Sequence, residues 1–91
     1  MELKSTEHSQ YNIWYHLVWC PKYRKPVLTG VIEVEAKKLI AEICIHEGWE
    51  IGAIEVLPDH IHLFVSAPPM VAPTDIVKTI KSITAVSLFL F

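Results

Sequence analysis

From Tyr11 to Cys20 the chain reads Tyr-Asn-Ile-Trp-Tyr-His-Leu-Val-Trp-Cys, a run of aromatic and β-branched residues that suits a pleated, half-buried surface. It predicts a first strand. Residues 21–30 form a loop bounded by proline and glycine. Beyond it Ile32, Ala36, Leu39, Ile40, Ile43 and Cys44 recur at helical spacing, and Gly48 supplies the stop of a first helix. Glu33 stands four residues before Lys37, which adds helical support on the solvent side. Trp49 to Leu57 reads as a second strand, Pro58-Asp59 as a turn and His60 to Ser66 as a third strand, so the last two make a hairpin. Ala67 to Pro73 holds Pro68, Pro69 and Pro73 and suits neither a helix nor a central strand. Pro73, Thr74 and Asp75 then open a second helix. Its apolar side is Ile76, Val77, Ile80, Ile83, Thr84 and Leu88, with Lys78 and Lys81 nearer the other side.

The order strand-helix-strand-strand-helix is five-sixths of a ferredoxin-like β-α-β-β-α-β unit. The predicted fold is therefore α+β, an antiparallel sheet covered by two helices on one face, with the last strand absent. Such a sheet keeps an open edge or pairs it with another molecule. The ending Val86-Ser87-Leu88-Phe89-Leu90-Phe91 is apolar enough to cover the sheet or to bury itself in a partner. Residues 1–91 are expected to be one domain, with 1–10 as a flexible tail.

A chain of 91 residues has room for one core. With 52% hydrophobic and 20% charged residues it has the composition of a globular protein. The apolar, uncharged stretch Ser82 to Phe91 falls well short of the ~20 apolar residues that span a bilayer. The first ten residues are polar and mixed in charge, unlike a signal peptide, so a cytoplasmic location is expected. Cys20 and Cys44 are far apart, each in an apolar segment, and read as small core residues. A net charge of −2 gives no global attraction to nucleic acid, but Lys22-Tyr23-Arg24-Lys25 packs three cations and a ring into four residues. Two readings of this run stay open: a phosphate-holding loop in which Tyr23 stacks on a base, or a solvated turn between Pro21 and Pro26.

Within Pro58-Asp59-His60-Ile61-His62 the two histidines are two apart in a strand, so they point to one face while Ile61, Leu63 and Val65 take the other. Two imidazoles on one face can hold a divalent ion, Mg²⁺, Mn²⁺, Co²⁺ or Zn²⁺, given a further ligand and water. The same pair also suits a half-buried aromatic surface with no ligand. His8 and His46 read as surface or packing residues. His16 does too, unless its alternation matches that of His60, in which case it approaches the same face.

Tyr15-His16-Leu17-Val18-Trp19-Cys20-Pro21-Lys22-Tyr23-Arg24, then Pro58-Asp59-His60-Ile61-His62-Leu63, then a helix with Lys81-Ser82, together resemble the single-tyrosine HUH transposases of small bacterial and archaeal insertion sequences. The resemblance covers most of residues 11–85. It implies a homodimeric DNA strand-transfer enzyme acting on single-stranded ends folded into hairpins. His60 and His62 match the histidines that hold the family's divalent ion, Mg²⁺ or Mn²⁺, against the scissile phosphate. The family's nucleophilic tyrosine, which carries the cut 5′ end, lies on a C-terminal helix after the last strand, with a polar residue that completes the metal site. Neither has a counterpart here, and Tyr11, Tyr15 and Tyr23 stand at other positions. The expectation is a transposase domain with hairpin recognition and a two-histidine half-site but crippled cleavage. The alternatives are a non-catalytic DNA-binding or regulatory remnant, which binds element ends or dimerises with an intact relative, and a remnant that binds nothing specific. The candidate DNA contacts are Lys22, Tyr23, Arg24, Lys25, Lys78 and Lys81.

Overall fold

The computed structural model describes residues 11–20 and 28–88. Its elements run β1 (Ile13–Trp19), α1 (Gly30–Glu47), β2 (Glu50–Leu57), β3 (His60–Ala67) and α2 (Pro73–Leu88). This is the order and type expected from the sequence. The sheet order is β1-β3-β2, with β3 antiparallel to both neighbours. A hairpin joins β2 to β3, so the connection through α1 carries the chain past the place that β3 later fills. β1 and β2 therefore run parallel with a strand between them, a split β-α-β arrangement.

Both helices cover one face of the sheet. α1 packs against β2 and α2, and α2 packs against β1. Between the layers lie Ile61, Leu63, Val65 and Ala67 of β3, Val56 of β2 and Trp19 of β1, with Ala36, Ile40, Ile43 and Cys44 from α1 and Ile76 and Ile80 from α2. Each large aliphatic side chain buried there contributes roughly 1.5–3 kcal/mol. β3 supplies four consecutive inward residues, none more than 1% exposed, and is the strand most committed to the core.

Helix boundaries follow from local chemistry. Gly48 adopts the left-handed conformation (φ 81°) that ends α1. Trp49 N–H then bonds Cys44 O at 2.8 Å and Gly48 N–H bonds Ile45 O at 3.2 Å, the paired closure that satisfies two orphan carbonyls. At the start of α2, Pro73 occupies the first helical position, where its missing N–H costs nothing. Asp75 reaches back to accept from Ala72 N–H at 3.3 Å. Thr84, an unusual residue for a core, is satisfied within its own helix by donating to Ile80 O at 2.8 Å.

Two residues assigned to apolar helix faces are not in the core: Ile32 of α1 and Ile83 of α2 are each 37% exposed. Ile32 lies in the first turn, where α1 overhangs the sheet. Ile83 lies one residue before the inward Thr84, at the border of a stripe defined by Ile76, Ile80 and Thr84. Helical spacing marks a sector wider than the surface that a three-stranded sheet can cover. The described residues place Cys44 in the core and Cys20 half-buried, both as free thiols. No described helix is long and apolar enough to cross a membrane.

A bulge interrupts the β2–β3 ladder. Ile51 pairs with Val65 and Ala53 with Phe64, which leaves Gly52 as the extra residue. A Cβ at Gly52 would stand 2.6 Å from Phe64 Cδ2 and 2.9 Å from Trp14 Cζ3. These rings are stacked on each other, with centroids 4.7 Å apart, so moving either one disturbs the stack. Gly52→Ala is expected to cost about 1–3 kcal/mol and to weaken the near-ultraviolet circular dichroism of the aromatic stack. An unchanged melting temperature and spectrum would show that the rings re-pack freely.

Burial raises the Cys44 thiol from 9.0 to about 11. Between those values the unfolded chain releases a proton that the folded chain keeps, so stability falls as pH rises through this window, by up to roughly 1.4 kcal/mol per unit. Chemical denaturation of wild type and Cys44→Ala at both ends of the window tests it. The expected result is a steeper decline in wild type, and parallel declines would remove the thiol as the cause.

Candidate functional site

The uncovered face of the sheet carries the residues of opposite parity to the core. On β3 these are His60, His62 and Phe64, on β1 Trp14, His16 and Val18, and on β2 Leu57, Glu55 and Ala53. The anticipated division of β3 is the one observed: Ile61, Leu63 and Val65 face the helices, while His60 is half-buried and His62 exposed on the other side. The two imidazole centroids are 4.9 Å apart with the planes tilted by 57°. Both rings stand on the central strand, held by ladder bonds on each side.

His60 follows the turn directly, and its Nδ1 lies 2.7 Å from Asp59 Oδ1. A carboxylate only accepts, so this geometry requires His60 Nδ1 to be the donor, and in the neutral ring the lone pair is then on Nε2. The turn is itself anchored. Pro58 restricts its backbone, and Pro58 O accepts from Leu28 N–H at 2.9 Å, with Leu28 fully buried.

Counting outward from the two-residue turn brings Glu55 across from His62 on one side, and Val18 lies across from it on the other. His16 shares this face, since its alternation matches that of His60 and His62, but its ring stacks on Phe64 with centroids 4.4 Å apart. Among the described residues no three His, Cys, Asp or Glu side chains come together as a metal site. His60 and His62 thus offer two nitrogen donors on an open face, which is half of a coordination shell.

The other candidates lie elsewhere. Lys78 and Lys81 rim an apolar groove of about 660 Å³ with Leu17, Pro73, Val77 and Ala85. That groove is on the helix layer, across the sheet from the histidines. Tyr15 also faces the helix layer, where its hydroxyl donates to Val71 O at 3.5 Å. Tyr11 is exposed ahead of β1. Lys22, Tyr23, Arg24 and Lys25 lie outside the described residues. Glu55 was missed in the sequence, although the hairpin register implied by Pro58-Asp59 was the signal that places it beside His62. The Trp14–Phe64–His16 ring contacts had no such signal, because they depend on the bulge and on pairing between distant segments.

The family profile described as transposase IS200 like matches residues 9–90. The ISDra2 transposase TnpA of Deinococcus radiodurans is 39% identical over 89 residues, which are 98% of this chain and 64% of that protein. The transposase for insertion sequence element IS200 of Salmonella typhimurium is 27% identical over 86 residues, covering 94% of this chain and 57% of that one. The chain thus spans less than two thirds of the length of these relatives. A crystal structure assigned as a transposase from Deinococcus radiodurans superposes with a TM-score of 0.84 at 34% identity, over 96% of this chain and 67% of the other.

The Asp59 contact has a spectroscopic consequence. In wild type the neutral His60 ring is expected to be the Nδ1–H tautomer, read from its ring ¹⁵N shifts. Asp59→Ala should shift it toward Nε2–H, and an unchanged tautomer would deny the carboxylate an orienting role.

Proposed function

The chain belongs to the IS200-like transposase family, and on that footing we propose that it takes part in DNA transposition by holding a phosphate of single-stranded, hairpin-ended DNA at the His60–His62 face. The observation that carries this reading is the pair of imidazoles side by side on the open face of the central strand, with a carboxylate on His60 Nδ1. Two nitrogen donors with space around them suit a divalent ion that keeps several sites for water and phosphate oxygens. Imidazole ligands make Mn²⁺ the better match than Mg²⁺, which prefers an all-oxygen shell. A bound ion would neutralise charge on the phosphate and orient it for in-line attack. The protein's own part is to fix the two rings through the β3 ladder, to leave His60 Nε2 free as a donor, and to keep that side of the sheet open to a strand of DNA.

Cleavage and rejoining through a phosphotyrosine also need a nucleophile in line with that phosphate. Tyr15 is across the sheet and Tyr11 precedes β1, so the described residues supply the phosphate-holding half of such a reaction. This favours, as a second reading, a module that binds element ends without cutting them. The basic run Lys22–Lys25 is bounded by Cys20 at the end of β1 and by Leu28 on the Pro58 carbonyl, both at the histidine end of the sheet. It is our preferred phosphate contact over Lys78 and Lys81, which lie on the helix layer. A second copy of the chain completes the proposal, since β1 and β2 each have one edge without a partner strand among the described residues.

The deciding experiment combines the mass of the solution species with hairpin DNA binding and covalent-adduct formation in Mn²⁺. We expect a dimer whose Mn²⁺ titration is saturable, and whose saturable metal binding is lost in the double variant His60→Ala, His62→Ala while its circular dichroism is kept. An unchanged titration in that variant would sink the metal assignment. Binding without an adduct supports the non-cutting module, and an adduct shows that a tyrosine of this chain reaches the phosphate.

A further inference from the structure

Beside the histidines the open face forms a cavity of about 200 Å³, lined by His16, Val18, Ala53, Glu55, His62 and Phe64. Pockets that enclose a whole small ligand run to ~300–1,000 Å³, so this one has the size for a single group of a larger molecule whose remainder lies outside. One wall is aromatic, formed by His16 stacked on Phe64, which is stacked in turn with Trp14. His16 and Trp14 are both exposed, so this stack is open to a further planar partner. The Gly52 bulge lets the Phe64 and Trp14 rings lie down over β2, where any side chain would lift them. The polar groups are Glu55 and His62, opposite each other across the β2–β3 ladder. Val18 and Ala53 are apolar.

A flat ring system with a hydrogen-bond acceptor at its rim is the complement of a nucleobase edge-on to a carboxylate. We propose, resting on the DNA-handling function above, that this cavity is a nucleobase subsite. It takes the base next to the phosphate held at His60 and His62, and it prefers a base with an exocyclic amine, cytosine or adenine, over thymine. Stacking on His16 and Phe64 is available to every base and supplies binding without choice. Choice comes from Glu55. A carboxylate accepts from cytosine N4 or adenine N6, whereas thymine presents a carbonyl oxygen at that position and meets the carboxylate acceptor to acceptor.

The test is fluorescence anisotropy of the 91-residue chain with short labelled dC, dA and dT oligomers, with and without Mn²⁺. Wild type should bind dC and dA roughly tenfold more tightly than dT, the low end of what one base-edge contact delivers. Glu55→Ala should abolish that preference, weakening dC and dA while dT binding holds or rises, with circular dichroism reporting the fold. Glu55→Gln, which keeps an acceptor of the same reach, should restore part of it. His16→Ala should weaken all three oligomers alike. Equal binding of dC and dT by wild type, or a preference that survives in Glu55→Ala, overturns the subsite. If binding depends on Mn²⁺ and on His60 and His62 yet ignores the base, the subsite fails and the phosphate site stands. If no oligomer binds at all, both fail.

Discussion

The structure depends on the register of β3. As the central strand it has ladder partners on both sides, and its four inward residues are sealed between sheet and helices. A slip of one residue would drive His60, His62 and Phe64 into the core and expel Ile61, Leu63 and Val65 to solvent. The loss of several buried aliphatic side chains together with the burial of two imidazoles exceeds the margin by which a domain of this size is stable. The histidines are therefore aimed by the hydrophobic effect acting on their neighbours.

From that register follows a sheet with two unlike faces. The helix-covered face is a conventional aliphatic core, closed by Gly48 at one helix end and by the Pro73–Asp75 start of the other. The open face carries rings, a carboxylate and small apolar residues, with little to bury them. The bulge at Gly52 joins the two, since one extra residue in β2 restores core parity on either side while clearing the space into which Phe64 and Trp14 settle.

The histidines lie toward the Pro58-Asp59 turn, which is tied to Leu28. Glu55 stands across from His62, and His16 pairs with Phe64 at the next outward position from the turn. The tyrosine most firmly placed, Tyr15, is spent on packing, with its hydroxyl closing the loop at Val71 on the far side of the sheet. The family match and the related structure share this fold.

The sequence by itself determined the elements and the two sides of β3. Period-two alternation around His60 and His62, helical spacing from Ile32 to Cys44, and the punctuation of Gly48, Pro58 and Pro73 are local signals, and local backbone geometry obeys them. It also carried the family resemblance in the run from Tyr15 to Arg24 and in Pro58–Leu63. Helix faces were legible only as sectors. Whether Ile32 and Ile83 are covered depends on how far the sheet extends beneath them, which no periodicity encodes. Only the tertiary structure decided that His16 shares the histidine face but spends its ring on Phe64, and that Lys78 and Lys81 belong to the opposite layer. Each of these rests on pairing between segments far apart in the chain. Such pairings are set by the burial of β3 and the bulge at Gly52, and a local pattern does not report them.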